Sequence, residues 1–529
     1  MKISTTTSAL IVVGTMLAIG IGCSQLPPSD KGDDYLNFPA QLSSTTPFDV
    51  DTALEHKLLR EQKFDEAQRI FEVLSWQMFI SLNWPVDDKG KPKPEITDEG
   101  GRIWEKWKES YEVFKEDGDK PHVWGAATDL PDELEAKVKS KKGNLELLFR
   151  TSKFSSFKDE KWNRQKGRKS FVQPDEVDQA FTSPIWDQSG NVIRYEIRLN
   201  RPTVDYIVEN ELYNFDGQIK FSSEKKTVSF PSGSVMKAGS VELKFAWKVI
   251  VPGKDVKERY FTKKVLVLDS NKKAQEVTVG LVGMHIGTKT VSSPQWIWAT
   301  FEQVDNVETN TLEKVDGHYL RPSFNNPDCS TCPINVFPDG KHPVNQIQRV
   351  IPIPGATQEL NKQVQTILKG KKSFWQYYQL IGTQWPTDPS SPPYPLNAAV
   401  YKLPDAVTNK SGGKPTPTFL TNMVMETYFQ GATNTDSPSH YNQLIANEPA
   451  RFQIEGVPTN DPANTGKLIF GTEGCVNCHS SASIAISFTV DSSGNKKPVF
   501  GAPRIGDFEW LLQRKAQFKT KKIPSKSTK

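Results

Sequence analysis

The sequence predicts an α+β protein, in which a β-rich core with flanking helices is followed by a mainly α-helical C-terminal module. Three observations support this fold class. Apolar residues recur at helical spacing near residue 70, they alternate with polar residues from about Val192, and five prolines interrupt the chain between Trp385 and Asn397. With 529 residues, the chain is long enough for about two to four domains.

The N-terminal residues have the features of an export signal. Lys2 precedes an apolar run of fourteen residues from Ala9 to Gly22, which is too short to span a bilayer comfortably and ends in small residues. Residues 1–22 are therefore predicted to be a signal peptide. The "GIGC" junction that ends at Cys23 resembles the lipobox of bacterial lipoproteins, although the usual Leu three residues before the Cys is absent.

The lipobox resemblance implies that Cys23 is acylated and becomes the N-terminus of the mature protein. Acylation would hold the protein in the bacterial cell envelope as an exported, periplasmic or outer-membrane-anchored lipoprotein. The alternatives are cleavage to a soluble periplasmic protein and an uncleaved N-terminal anchor. Residues 23–57 contain several Pro and Asp, and they are predicted to be a tether.

A mixed α/β domain is predicted over residues 58–385, and it begins with two helices. In "KFDEAQRIFEVLSWQMFISLNWP" the apolar residues recur at helical spacing, and Pro85 ends the pattern. A second helix is predicted over "GRIWEKWKESYEVF", with Trp104 and Trp107 on one face. Both aromatic stripes are expected to lie in the core.

Five strands are predicted after these helices, because polar and apolar residues alternate and Gly, Pro, Asn and Asp bound each segment. The segments are "VIRYEIRLN", "VELKFAWKVIV", "RYFTKKVLVLD", "QEVTVGLVGMHIGTKT" and "PQWIWATFEQV". The fourth segment is apolar on both faces, with Val279 and Leu281 on one face and Val282 and Met284 on the other. This pattern predicts a central strand that is buried on both sides.

The proline-rich residues 386–397 are predicted to be a linker, and residues 398–529 the C-terminal module. Helices are predicted within "FLTNMVMETYFQ" and "DFEWLLQRKAQF". The module ends in a basic tail, because Arg514 to Lys529 contains seven Lys or Arg and no acid. This tail is either a solvated segment or a docking patch for an acidic partner protein or for anionic lipid.

The stretch "EGCVNCHSS" carries the strongest chemical motif in the chain. Cys475 and Cys478 stand two residues apart, and His479 follows directly. Two thiols at this spacing can add to the two vinyl groups of one haem, since a single helical turn presents both sulfurs to the same edge; His479 would then bind the iron. The alternatives are a disulfide with a chance His, or half of a zinc site, although no second CxxC or His pair lies nearby.

The segment "GKLIF" together with this motif resembles the start of a c-type cytochrome domain, over about fifteen residues. The resemblance implies one covalently attached haem c, with Cys475 and Cys478 as thioether attachments and His479 as axial ligand. The segments "SWQMFISLNWP", "SPQWIWATFEQVDN" and "METYFQ" are similar to segments of large bacterial exported proteins that end in a CxxCH module. That likeness implies no activity.

The sixth iron ligand is open. Small c-type cytochromes supply a Met downstream of the motif, but no His, Met, Cys or Tyr follows His479 in this chain. The ligand is therefore an upstream residue, a Lys or absent, and the candidates are Met423, Met425, His440, His285, Lys496 and Lys497. His285 is also explained as a hydrogen-bonded core residue. An empty position would permit reaction with peroxide or small ligands.

A second cysteine pair lies in "NPDCSTCPIN". In an oxidising compartment, Cys329 and Cys332 are predicted to form a short-loop disulfide. The alternatives are a redox-active dithiol and a zinc site with His318 and His342. Because Pro stands where a haem motif has His, this pair is not counted as a second haem site.

These features predict a membrane-tethered, monohaem c-type cytochrome that exchanges electrons with a redox partner protein or a small-molecule donor or acceptor. One alternative is a haem enzyme of peroxidase or oxidoreductase type with an open distal position. Another is a binding or scaffold protein with a structural haem. The net charge of +4 excludes a strong nucleic-acid field. No catalytic residue is predicted, because the chain lacks a nucleophile elbow, an HExxH motif and a Gly-rich cofactor loop.

Overall fold

The fold is given by a computed structural model. It describes residues 34–126, 145–150, 184–268, 273–308, 314–315, 318–335, 338, 341–349, 353–385, 422–427, 457–458, 468–469, 475, 479, 482–502 and 504–520. Inter-residue contacts divide the chain into Met1–Tyr35 and Leu36–Lys529, and the sheet and its covering elements belong to the second unit.

The α-helices among the described residues are α1 (Thr52–Arg60), α2 (Phe64–Leu82), α3 (Ser110–Val113), α4 (Arg201–Glu209), α5 (Phe215–Ser223), α6 (Gly355–Gly370) and α7 (Trp510–Arg514). Short 3-10 helices lie at Asp34–Leu36, Ile103–Lys106, Lys257–Arg259 and Phe374–Tyr377. Within the described ranges, no helix is both long enough and apolar enough to cross a membrane. The apolar run from Ala9 to Gly22 lies outside the described residues.

The strands are β1 (Pro85–Val86), β2 (Gly101–Arg102), β3 (Lys108–Glu109), β4 (Leu147–Leu148), β5 (Arg194–Leu199), β6 (Val241–Val249), β7 (Thr262–Leu268), β8 (Ala274–Thr288), β9 (Ile297–Gln303), β10 (Lys314–Val315), β11 (His318–Tyr319), β12 (Tyr378–Gln384), β13 (Val457–Pro458), β14 (Leu468–Ile469), β15 (Ala485–Val490) and β16 (Lys496–Phe500). Eight of these described strands form one sheet, in the order β12-β9-β8-β6-β5-β3, with β7 beside β8 and β4 beside β7.

The sheet is organised around β8, which is 15 residues long. It pairs with β6 on one side and with β7 and β9 on the other, and all three pairings are antiparallel. β4 and β7 are the parallel neighbours within this sheet. The five predicted strands are confirmed as β5 to β9, and the predicted position of the fourth at the centre of the sheet is confirmed as well.

One predicted helix is confirmed and the other is wrong. α2 occupies the first, and it ends at Leu82, shortly before Pro85. The second segment is instead split into β2, a 3-10 helix, β3 and α3. The cause is tertiary: Lys108 and Glu109 pair with β5, and the Glu109 carboxylate accepts a hydrogen bond of 2.7 Å from Arg150. These contacts outweigh the helical spacing of Trp104 and its neighbours.

One side of the sheet, here called the apolar face, carries hydrophobic side chains from β6, β8 and β9: Leu243, Phe245, Met284, Ile286, Ala299 and Phe301. α2 covers this face. The ring of Phe79 stacks on that of Phe301 with centroids 4.3 Å apart, and Trp76 meets the same ring edge-on at 5.0 Å. Burial of this aromatic layer contributes to the stability of the fold.

The opposite side, here called the polar face, carries Glu242, Lys244, His285, Trp298, Thr300 and Glu302. Two segments from late in the chain cover it. Asn422 donates from Nδ2 to Thr300 (2.9 Å), and the backbone N–H of Met423 donates to Glu302 (2.7 Å). His479 and the residues around α7 cover the other end. One buried cluster therefore joins Trp510 and Leu511 to Ile197 and Val204, which precede the proline-rich segment in sequence.

The described part of residues 398–529 contains β13 to β16 and the five-residue helix α7. α7 confirms a helix within "DFEWLLQRKAQF", but residues 422–427 form turns, so the helix predicted there is wrong over those residues. Hydrogen bonds from this segment to β9 replace helical ones. The mainly α-helical module is not shown by the described residues, and residues 386–397 lie outside them.

Candidate functional site

The motif residues lie at the polar face. His479 is buried, and its ring packs against Trp298 with centroids 4.0 Å apart. Cys475 is half-buried against the cluster that includes Trp298 and Trp510. Cys478 lies outside the described residues. Of the described motif residues, His479 thus packs against the sheet at Trp298, and Cys475 borders the adjoining cluster.

A single hydrogen bond fixes the tautomer of His479. Its Nδ1 lies 2.7 Å from the carbonyl oxygen of Phe508. A carbonyl oxygen only accepts, so Nδ1 carries the proton, and in the neutral ring the lone pair is on Nε2. Histidines that bind metals are commonly held in this way, because a backbone acceptor on one nitrogen orients the other.

Burial also keeps the imidazole neutral. Loss of hydration and then the positive charge of Lys244 lower the pKa of His479 to about 3, despite the opposing hydrogen bond to Phe508. A neutral imidazole is the form that coordinates iron. His479 is therefore ready to act as a ligand without first losing a proton.

Two buried carboxyl groups lie beside this ring and behave differently. Burial alone would raise the pKa of Glu242, but the charge of Lys244 and the neighbouring Glu509 hold it below its usual value. The Nζ atom of Lys244 is 3.0 Å from the Glu242 carboxylate. Burial and then the Glu242 charge raise the pKa of Glu509 well above its usual value. Glu242 is thus ionised and paired, whereas Glu509 is protonated.

The loop that holds His479 has an unusual backbone. Arg504, Asp507 and Phe508 have φ of 70°, 52° and 67°, in the left-handed region that residues other than Gly rarely adopt. This conformation aims the Phe508 carbonyl at His479 and the Asp507 carbonyl at the indole N–H of Trp296, 3.1 Å away. Such strain persists where the surroundings impose it, and it concentrates at functional sites.

Asp507 anchors this loop to the core. Its carboxylate pairs with the buried Lys289 and accepts a hydrogen bond of 2.7 Å from the backbone N–H of Phe230. Burial raises its pKa to about 6, although Lys289 and that N–H oppose the shift. The loop and its anchors were missed from the sequence, because Asp507 falls inside a segment whose apolar spacing predicts a helix. The alternation of Glu242 and Lys244 in "VELKFAWKV" was the signal that could have revealed a polar face.

The candidates for the sixth ligand lie in different surroundings. Met423 and Met425 are buried together in an apolar cluster with Tyr195 and Val424. His285 is on the polar face, with Nε2 3.4 Å from the Glu426 carboxylate. A coulombic interaction with His285 is among the causes that lower the pKa of His479, so the two rings are electrostatic neighbours.

The other candidates are not brought to His479. Lys496 and Lys497 belong to the exposed strand β16, where they lie 3.3 Å from Asp216 and 3.8 Å from Asp491. His440 lies outside the described residues. Of the described candidates, the structure thus brings His285 into the electrostatic neighbourhood of His479.

Cys329 and Cys332 form a disulfide in the structure. A zinc site with His318 and His342 would need both thiolates, which the disulfide occupies. In the part of the chain that the structure describes, no group of three or more His, Cys, Asp or Glu is arranged to hold a metal ion. Cys23 lies outside the described residues.

Comparison of the chain with family models, with curated proteins and with solved structures finds no match. A buried, neutral imidazole with its Nδ1 proton directed to a backbone carbonyl fits the role of an axial haem ligand.

Proposed function

We propose that this chain is a membrane-tethered, monohaem c-type cytochrome that transfers electrons at the bacterial cell envelope. The observation that supports it is the 2.7 Å contact between His479 Nδ1 and the Phe508 carbonyl, which directs a neutral Nε2 away as a ligand. Cys475 and Cys478 would hold the haem covalently, and His479 would bind its iron. When bound, the haem supplies a one-electron ferrous–ferric couple.

The residues around His479 have separate roles in this proposal. Trp298 and Phe508 restrict the rotation of the imidazole, and their packing keeps water from it. The ion pair of Glu242 and Lys244 supplies a fixed dipole within the buried site. The polar face therefore orients the ligand and sets its electrostatic surroundings, which are two of the means by which proteins tune a haem.

The domain arrangement follows from the same proposal. In this proposal the motif belongs to a C-terminal haem module over residues 398–529, and the burial of Trp510 in one cluster with Ile197 and Val204 supports its association with the sheet. The remainder of the sheet and its helices would select the redox partner or small-molecule donor. An acylated Cys23 would tether the whole molecule to the membrane.

The test is whether haem stays on the protein after denaturation. The full chain is produced in a host competent for cytochrome maturation, denatured and extracted with acid–acetone, and its visible spectrum is recorded. We expect a haem c spectrum that is lost in Cys475→Ala/Cys478→Ala and retained in the control Cys329→Ala/Cys332→Ala. A colourless wild-type protein would refute the proposal.

The coordination state separates electron transfer from catalysis at iron. A six-coordinate, low-spin spectrum that carbon monoxide and peroxide leave unchanged supports an electron-transfer role. A high-spin spectrum with rapid ligand binding contradicts that role and supports the haem-enzyme alternative. His479→Gly should leave covalent attachment intact but change the visible spectrum, since only the thiols form the thioether bonds.

A further inference from the structure

Arg504 is a buried cation without a partner. The residue is 2% exposed, and its Nη2 atom has no hydrogen-bond acceptor among the described residues. Loss of hydration lowers the pKa of its guanidinium to about 10, and no charge in the described part of the chain opposes this shift. The group therefore stays charged near pH 7. Because a buried charge without a counter-charge costs free energy, Arg504 indicates a site for an anionic ligand.

The other buried Lys and Arg residues of the described chain all have partners. There are nine of them, and seven form ion pairs with acidic side chains, while two donate to backbone carbonyl oxygens. The ion-paired residues are Lys108, Arg150, Arg198, Lys244, Lys248, Arg259 and Lys289, and the other two are Arg102 and Arg194. Arg504 is thus an exception in a protein that otherwise satisfies its buried cations.

The backbone at this position does not explain an arginine. Arg504 has a φ of 70°, in the left-handed region that disfavours residues with a side chain. A glycine would adopt this conformation without that cost and would leave no charge to bury. The turn itself therefore gains nothing from the guanidinium, and a ligand for that group accounts for its presence.

Arg504 lies in the turn that holds the candidate iron ligand. The turn continues to Phe508, whose carbonyl oxygen accepts the hydrogen bond of 2.7 Å from His479. The residue next to Arg504 is Ile505, and it packs against the same hydrophobic cluster as Cys475. The unpaired cation and the two described residues of the haem-type motif therefore belong to one neighbourhood of the fold.

We propose that Arg504 binds a propionate carboxylate of the haem that the motif carries. This inference rests on the proposed function, because it names a further contact of the same cofactor. A guanidinium offers parallel N–H donors that match the two oxygens of a carboxylate, and the pair neutralises both charges. Arg504 would thus orient the haem from a point other than its thioether bonds and its iron ligand.

The haem is a better source of the carboxylate than a partner protein or a free anion. An acidic side chain of another protein does not reach a residue that is 2% exposed. A free carboxylate in solution would have to pay the full entropy of binding, whereas a haem attached to Cys475 and Cys478 brings its propionates at high effective concentration.

Thermal unfolding tests whether Arg504 gains its partner with the haem. In the full chain matured with haem, Arg504→Met leaves a carboxylate without its cation, and the unfolding midpoint should fall by at least about 2 °C. In the haem-free Cys475→Ala/Cys478→Ala background, the same change removes an unpaired buried charge, so the midpoint should stay the same or rise. A similar fall in both backgrounds would show a purely structural arginine and overturn the proposal.

The reduction potential of the haem tests the charge directly. Arg504→Gln should lower the potential if the carboxylate stays ionised, or make the potential vary with pH if the carboxyl takes up a proton. Arg504→Lys keeps the charge and should restore most of the wild-type potential. The control Arg201→Gln, at a side chain of α4 that is 65% exposed, should match the wild type. If the curve of Arg504→Gln superimposes on that of the wild type from about pH 5 to about pH 9, the carboxylate contact is refuted.

The two proposals fail in different ways. A wild-type protein that is colourless after denaturation and acid–acetone extraction refutes both, because it holds no haem carboxylate. A protein that keeps its haem, but whose Arg504 variants match the wild type in stability and potential, refutes the Arg504 contact alone.

Discussion

The two faces of the central sheet differ in what holds them together. On the apolar face, α2 packs aromatic rings onto β9, with Phe79 and Phe301 stacked at 4.3 Å. On the polar face, Glu242 and Lys244 are buried and His285 is half-buried beneath segments from the end of the chain, among them His479. Burying apolar groups stabilises by itself, whereas burying charges stabilises only when each has a partner. The comparison indicates that the apolar face stabilises the fold through burial, whereas the polar face depends on matched charges.

Two buried carboxyl groups in different parts of the molecule also differ in charge. Glu55 of α1 is fully buried, and its carboxyl has no hydrogen bond to any described residue. Burial and then the charge of Asp49 raise its pKa to about 8, so it is neutral near pH 7. Glu242 on the polar face stays ionised because Lys244 is beside it. The same residue type is thus neutral or charged according to its neighbours.

The largest expected effect is on the apolar face. Phe79→Ala removes a fully buried ring that contacts Phe301, Trp375 and Tyr378, and it should lower the free energy of unfolding by about 4 kcal/mol. Urea denaturation followed by circular dichroism measures this loss. The control Val123→Ala, at a side chain that is 79% exposed, should change it by less than about 0.5 kcal/mol. A loss below about 1 kcal/mol for Phe79→Ala would contradict the division between the faces.

On the polar face, the free energy of unfolding should depend on side-chain charge rather than on side-chain volume. Glu242→Gln leaves Lys244 as a buried cation without its ion pair, and it should lower the free energy of unfolding by about 3 kcal/mol. The matched variant Glu509→Gln replaces a protonated carboxyl by a neutral amide that can still accept from the backbone N–H of Leu511 (2.8 Å), so it should cost less than about 1 kcal/mol. Equal losses of unfolding free energy in the two variants would show that the proton is not distributed between Glu242 and Glu509 as described.

A smaller effect appears in the pH dependence of stability. The pKa of Glu55 rises from 4.5 to about 8 on folding, so the folded protein holds this proton more tightly than the unfolded chain does. The stabilisation that comes from this tighter proton binding is complete below pH 4.5. It is lost as the pH rises towards 8, at about 1.4 kcal/mol per pH unit. Between pH 5.5 and pH 7, the wild type should therefore lose about 2 kcal/mol relative to Glu55→Gln.

Urea titrations of both proteins at the two pH values check this prediction. Glu61→Gln is the control, since the Glu61 side chain at the end of the same helix is 42% exposed. It should follow the wild type at both pH values. If the difference between the wild type and Glu55→Gln does not change with pH, then Glu55 is ionised in the fold and the contrast with Glu242 fails.

Much of the sheet could be predicted from the sequence because local periodicity carries the information. The alternation in "VELKFAWKVIV" and the doubly apolar "QEVTVGLVGMHIGTKT" are sufficient to place β6 and β8. The wrong prediction of a helix over Trp104 could not be avoided from the sequence, because the apolar residues there recur at helical spacing. Only the pairing of this segment with β5 prevents the helix. The same holds for the candidate site. The motif identifies His479 from the sequence, but the residues that contact His479 come from segments that are distant in sequence.

By itself, the order of amino acids determined strands β5 to β9, the long helix α2 and the haem-type motif, because each depends on residues close together in the chain. Only the tertiary structure decided that Phe508 supplies an acceptor to His479, that Lys244 keeps Glu242 ionised and that Glu509 is protonated. The physical reason is that hydration and charge around a buried group depend on which distant segments meet there, and no local spacing records that meeting.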